Sequence, residues 1–290
     1  MSKSLTATLK IALAQCNFHV GDIPGNTAKI IEAAQKAADD GAQLIVFSEL
    51  ALTGYPPEDL LMRPSLEPRI KEALHQVAAI SQDIAVAVGY PVLKGDRLYN
   101  CAGVWHDGVC LGEYAKQELP NYQVFDEKRY FSAGEDAQIV ELHGVKLGLT
   151  VCEDVWFDAP VAMAADAGAD VILNLNASPF HSGKQQERID LIKKHTSQHK
   201  LPILYVNQSG GQDELVFDGA SLICDQNGEF VARAPSFQEE LLVADLDMDA
   251  VFSSRLTDPV PHKKDPAVLG EIGRAEVLQV SPHKATDRPP

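Results

Sequence analysis

The chain has 290 residues, 45% of them hydrophobic, and a formal net charge of -16. That is enough apolar material for a large core in one domain or two. So acidic a surface, with no Lys/Arg cluster to offset it, excludes nucleic acid and anionic membrane as partners.

"LKIALAQCNF" reads as a first strand, and "NTAKIIEAAQKAADDGA" as a helix with Asn26 as N-cap and Gly41 as its stop. "QLIVFSEL" is a continuous apolar run, the pattern of a strand buried on both faces. "SLEPRIKEALHQVAAISQ" is helical, and "IAVAVGYPV" is a strand. "LYNCAGVWHDGVCLGEYAK" is a hairpin turning at Asp107–Gly108, and "AQIVELHGVKLGLTVC" another turning at His143–Gly144. Then come a helix, "APVAMAADAGA", a strand, "DVILNLNAS", a second helix, "KQQERIDLIKKHTSQHK", and a strand, "PILYVNQ". "GASLICDQNGEFVARA" is a hairpin turning at Asn227–Gly228. Helices alternating with strands, with hairpins inserted among them, predict an α/β protein with a mixed sheet and helices outside it. One domain over residues 1–250 is expected, followed by an extended or disordered tail over 251–290, where the sequence turns polar and rich in Pro, Lys and Asp. No run is apolar for the length of a membrane span, and "MSKSLTATLK" lacks the apolar region of a signal peptide, so a cytoplasmic location with reduced thiols is expected.

Five cysteines are scattered without a C-x-x-C pair, which is neither a zinc pattern nor a disulfide framework. Cys16, Cys101, Cys110 and Cys224 lie inside strand patterns and read as core. Cys152 differs: it ends the strand "KLGLTVC" and precedes Glu153 and Asp154. Alone it reads as a packed core thiol, the usual place of a free cysteine, with nucleophile and metal ligand as the alternatives. Glu49 and Lys116 also end strands, and sites in α/β sheets gather outside the carboxyl ends of strands. A carboxylate can take the thiol proton during attack on a carbonyl, and an ammonium can hold the developing oxyanion. Such chemistry requires no metal and no organic cofactor. Glu153 and Asp154 then read as shaping the turn rather than binding metal.

Four segments, "FSELALTGYPPEDLL", "YAKQELPNYQVFDEKRYF", "GLTVCEDVWF" and "NLNASPFHSGK", resemble the nitrilase, or carbon–nitrogen hydrolase, superfamily, and more narrowly its glutaminase branch. The resemblance covers about Leu9 to Asp249. It implies a four-layer α-β-β-α sandwich, usually paired into a homodimer or higher homo-oligomer. It also implies Glu49 as general base, Lys116 as oxyanion-holding lysine, Cys152 as nucleophile and Glu127 as a second glutamate orienting the lysine. By the same resemblance Tyr55, Tyr122, Ser178 and Lys184 contact the substrate. The activity implied is hydrolysis of a small primary carboxamide, glutamine or an aliphatic amide, through a thioester. The alternative is a glutaminase domain or subunit that feeds ammonia to a synthetase partner and is weak without it. "NQSGGQDE" resembles a pyrophosphate loop, but a strand-like run follows where such a loop needs a helix N-terminus, so it reads as a loop of the hydrolase fold.

Overall fold

The computed structural model describes residues 7–257. The first half is built from β1 (Thr8–Gln15), α1 (Ile23–Asp39), β2 (Leu44–Val46), α2 (Leu66–Ile80) and β3 (Ala85–Lys94), with β1, β2 and β3 parallel. β4 (Arg97–His106) and β5 (Val109–Ala115) extend this sheet antiparallel. Asp107 and Gly108, at φ of 52° and 76°, form the tight turn between them that the sequence predicts.

The second half repeats the pattern. β6 (Ile139–Leu142) and β7 (Val145–Val151) turn at His143–Gly144, again with both residues at positive φ. α3 (Asp158–Asp166), β8 (Val171–Asn176), α4 (Lys184–His199) and β9 (Ile203–Asn207) follow, with β7, β8 and β9 parallel. A separate two-stranded arm of β10 (Ser209–Gln212) and β11 (Leu215–Asp218) leads to β12 (Leu222–Cys224) and β13 (Phe230–Arg233). β14 (Glu240–Asp247) then returns to the first sheet beside β1, and α5 (Met248–Thr257) ends the described chain. The sheet orders are β14-β1-β2-β3-β4-β5 and β13-β12-β9-β8-β7-β6.

Alternation along the strands decides the layering. Leu9, Ile11 and Leu13 of β1 share one cluster with Leu147, Leu149 and Val151 of β7 and Leu173 and Leu175 of β8, so the two sheets pack face to face. Ala12 and Ala14 point the other way, into a cluster with Ile30 and Ala34 of α1 and Ile70 and Val77 of α2. Ile172 and Tyr205 do the same on the far side, meeting Val161 of α3 and Ile192 of α4. Two helical layers therefore enclose two sheets, the expected α-β-β-α sandwich.

Several boundaries depart from expectation. α1 begins at Ile23, and its N-cap is Asp22, whose carboxylate accepts the Gly25 N–H. Asn26 does not cap the helix: it is buried, accepts the His19 N–H and donates to the His19 and Leu52 carbonyls. "SGGQ" is not a loop but the first strand of the β10–β11 arm. The segment from Val251 to Thr257 is helical rather than extended, because Met248 and Val251 enter the inter-sheet core. The rest of the expected tail lies outside the described residues. Cys16, Cys101 and Cys224 are buried as expected, while Cys110 is only partly so.

Candidate active site

Three strand ends converge. Glu49 lies just beyond β2, where the Phe47 N–H still pairs with the Ala87 carbonyl. A side chain at Gly89 would overlap the backbone of Ser48–Leu50, so glycine there lets this segment cross β3 closely. Lys116 follows β5 directly, and its N–H is held by the Asn100 carbonyl at 2.8 Å. Cys152 follows β7 and opens a short 3-10 turn, Cys152–Trp156, at φ 44°. That left-handed conformation is costly for a residue with a side chain and is tolerated where surrounding structure fixes it.

The three groups are buried together. Lys116 Nζ lies 2.7 Å from Glu49 Oε1 and 2.9 Å from Glu127 Oε1. Glu49 Oε1 also accepts from Asn100 Nδ2 at 2.7 Å, and Oε2 accepts the Ala177 N–H at 3.1 Å. Burial alone would lower the Lys116 pKa, but the charges of Glu127 and Glu49 reverse this and hold it well above the usual lysine value. Burial pushes Glu127 up to about 7, against the pull of Lys116. The Cys152 thiol is raised well above its ordinary value by burial and then by Glu49, with Lys116 opposing. At neutral pH it is therefore a thiol beside Glu49, and a thiol attacks carbon only once a base has taken its proton.

Asp154 fixes the geometry between the sheets. Its Oδ2 accepts the Val151 N–H and the Tyr114 hydroxyl, each at 2.8 Å. Its Oδ1 accepts the N–H groups of Gln117 at 3.1 Å and Glu118 at 2.8 Å. One carboxyl thus ties the backbone next to Cys152 to the backbone next to Lys116, as the turn-shaping reading of this residue requires. Burial pushes Asp154 up to about 6, although these donors pull it down. Asp154→Ala would leave a buried N–H, two part-buried N–H groups and a buried hydroxyl unpaired, at a cost of about 3 kcal/mol. Urea unfolding should show that loss, and turnover should fall with it; an unchanged midpoint would refute the role.

The other expected residues divide. Tyr55 is buried and donates to Glu127 Oε1 at 2.8 Å, so it supports the second glutamate rather than lining an open surface. Tyr122 is about half exposed, and its hydroxyl donates to Glu153 Oε1 at 2.7 Å. Ser178 is buried and its hydroxyl is engaged by Arg188 at 3.1 Å. Lys184 begins α4 with its Nζ 3.6 Å from the centre of the Trp156 ring, and burial lowers its pKa. The sequence reading did not single out Arg188 or Asn100. Arg188 is an arginine on the buried side of α4; it pairs with Asp218 at 2.6 Å and also binds the Ser178 and Pro179 carbonyls. Asn100 had a visible signal, a lone amide in the apolar strand "YNCAGV".

Among the described residues no group of three or more His, Cys, Asp or Glu side chains is placed to hold a metal ion. No described helix is long and apolar enough to cross a membrane. The open cleft between α1 and β14, lined by Cys16, Lys29, Glu32 and Glu239, contains none of the converging residues.

Comparison with known proteins gives a consistent picture. The glutamine-dependent NAD(+) synthetase of Acinetobacter baylyi is 42% identical over 256 residues, covering 88% of this chain and 47% of that protein. The structure of the glutamine-dependent NAD+ synthetase of Acinetobacter baumannii superposes with a TM-score of 0.82 at 44% identity, covering 84% of this chain and 46% of that one. An amidase from Nesterenkonia sp. superposes at 0.77 with 28% identity, covering 87% of this chain and 96% of that one. A mutant of that amidase carries the acetamide moiety of fluoroacetamide on its active-site cysteine. The chain spans about half the length of the NAD(+) synthetases it matches. The carbon–nitrogen hydrolase model matches residues 10–255, and the chain accordingly belongs to the carbon–nitrogen hydrolase family of enzymes.

Proposed function

We propose that this chain is a glutaminase that releases ammonia for a synthetase partner, with Cys152 as nucleophile, Glu49 as general base and Lys116 as oxyanion holder. The observation that carries the reading is the buried Glu49–Lys116–Glu127 cluster beside a protonated Cys152. Glu49 takes the thiol proton as sulfur attacks the carboxamide carbon. Two of the three Lys116 N–H donors are spent on carboxylates, which leaves one for the substrate oxygen. Glu49 then passes its proton to the leaving nitrogen, the carbon–nitrogen bond breaks, and ammonia departs from a thioester. A water that gives its proton to Glu49 attacks the thioester, the carbon–sulfur bond breaks, the acid product leaves as its carboxylate with release of a proton to solvent, and Glu49 returns its proton to the sulfur to restore the Cys152 thiol. Glu127, held by Tyr55, keeps the lysine in place.

Two charges near the thiol favour an amino-acid amide over a simple one. Glu153 adjoins the nucleophile, and Lys184 feels the charges of both Cys152 and Glu153. An acid and a base around one pocket suit the α-ammonium and α-carboxylate of glutamine, with Tyr122 and Ser178 completing the wall. The similarity to glutamine-dependent NAD(+) synthetases supports the same substrate, and supports ammonia delivery over the free-standing small-amide hydrolase read first from the sequence. The test is ammonia release from glutamine and from short aliphatic amides, with and without an ammonia-dependent NAD synthetase. Release from no amide under either condition overturns the proposal. Lys184→Ala should lower kcat/KM for glutamine about 10- to 100-fold while changing turnover of propionamide little. Equal losses on both substrates would refute the assignment of Lys184 to the α-carboxylate.

A further inference from the structure

Resting on that hydrolase reading, we infer that Asn100 is a positioning residue for the base, holding Glu49 by its side chain and Lys116 by its backbone. Asn100 lies on β4, between the two groups it serves. Its Nδ2 donates to Glu49 Oε1 at 2.7 Å, and its carbonyl accepts the Lys116 N–H at 2.8 Å. One residue therefore fixes the distance between base and ammonium from the side opposite Cys152's own strand.

Three features separate this from ordinary strand packing. First, Asn100 shares a strand face with Ala102 and Val104, which enter the apolar core between the sheets, yet it is a nearly fully buried amide. Second, its Oδ1 is buried and has no hydrogen-bond partner among the described residues. An amide half of whose hydrogen-bonding capacity is unmet is a poor structural element, because burying it costs stability that an apolar side chain of like volume would not. Third, its orientation has a single solution, since turning Oδ1 toward the Glu49 carboxylate would set two acceptors against each other. The ammonium of Lys116 and the Ala177 N–H complete the donors on Glu49, and Asn100 is the only side-chain amide among them. Without it Glu49 keeps its charge partner but loses the donor that turns Oε1 away from free rotation about the lysine. The base then spends less of its time aimed at the sulfur.

Two variants test this, Asn100→Leu, which keeps the volume and removes the donor, and Asn100→Asp, which sets a carboxylate against Glu49. Ammonia release is measured alongside alkylation of Cys152 by iodoacetamide at pH 7.5, followed on the Cys152 peptide by mass spectrometry. The final extent of labelling counts competent sites, and its rate reports how readily the thiol loses its proton. Asn100→Leu should lower kcat per labelled site about 10- to 100-fold, the value of one hydrogen bond to a charged group. KM should stay within about twofold, and alkylation should slow in step. Asn100→Asp should lose at least as much. A merely structural Asn100 would reduce the labelled fraction and leave kcat and alkylation rate per labelled site unchanged. That outcome in Asn100→Leu, or in Asn100→Asp where the leucine variant does not fold, overturns the inference. If the unsubstituted protein releases no ammonia from any amide, the hydrolase reading fails, and the alkylation rates still decide whether Asn100 positions the base.

Discussion

The Cys152→Ala variant is expected to lose ammonia release by a factor on the order of 10,000 or more, the scale on which removal of a covalent nucleophile registers, while unfolding at an unchanged urea concentration. Both halves follow from the same local structure. The sulfur is the only part of Cys152 that the proposed reaction consumes, because the turn is held through backbone and neighbours: Asp154 anchors Val151, and His195 Nε2 lies 2.7 Å from the Val155 carbonyl behind it. The φ of 44° is strained for alanine as it is for cysteine, so the substitution neither relieves nor adds to it. What is lost is a small buried sulfur, worth little packing. Wild-type protein quenched in acid during turnover should carry a glutamyl group on the Cys152 peptide, and the variant should carry none. Turnover persisting in Cys152→Ala, with no acyl group on the wild type, would require water to attack the amide directly and would remove the thioester from the mechanism.

Much of the architecture was legible because its determinants are local. Two of the three expected turns, Asp107–Gly108 and His143–Gly144, pair a glycine with a second residue at positive φ and appear where the sequence places them, whereas at Asn227–Gly228 only the glycine has positive φ. The parallel strands announce themselves by unbroken apolar runs, since both faces are covered. β14 was missed for the opposite reason: it is an edge strand, mostly half-exposed, and its apolar run "LLVA" is short and set between acidic residues. Its position beside β1 is set by pairing across more than two hundred residues, which no window reveals. The site divides along the same line. Glu49, Lys116 and Cys152 could be suspected because each follows a strand, whereas Arg188 sits in a helix whose polar composition hides its buried face. Glu127 stands in the charge run "DEKR", where composition gives it no special place and the resemblance alone singles it out; the fold turns its carboxylate inward to Lys116 while Lys128 and Arg129 are exposed. The hydrogen bond from the Tyr55 hydroxyl to Glu127 is likewise visible only in the fold.

Lys116→Met should damage the fold as well as the chemistry, and its cost to the fold should depend on pH. The ammonium lies buried between two carboxylates, so its removal strips their cation from a pair of buried acids. Breaking a buried ion pair from one side costs about 3–5 kcal/mol, most of it the penalty for charge left without a partner. The sign of the pH effect follows from Glu127. Its pKa in the folded protein, about 7, already exceeds the ordinary carboxyl value because burial favours the protonated form. A carboxyl raised on folding contributes its stability at low pH and loses it as pH rises through the folded pKa. Without Lys116 the opposing pull is gone, and Glu127 keeps its proton to still higher pH. At pH 5 the variant can hold Glu127 neutral and should unfold only modestly earlier than wild type. At pH 8 the proton must leave or be held at a cost, and the deficit should reach its full size. The double variant Lys116→Met/Glu127→Gln supplies a permanently neutral group and should recover most of the stability at pH 8. Neither variant should recover turnover, because the proposed donor for the substrate oxygen is absent in both, a loss of roughly 100- to 1,000-fold in kcat at least. Urea titrations of the three proteins at pH 5 and pH 8 measure the effect directly. A deficit independent of pH, or a double variant no more stable than the single one, would mean that Lys116 stabilises the fold through packing along its alkyl chain and not through its charge.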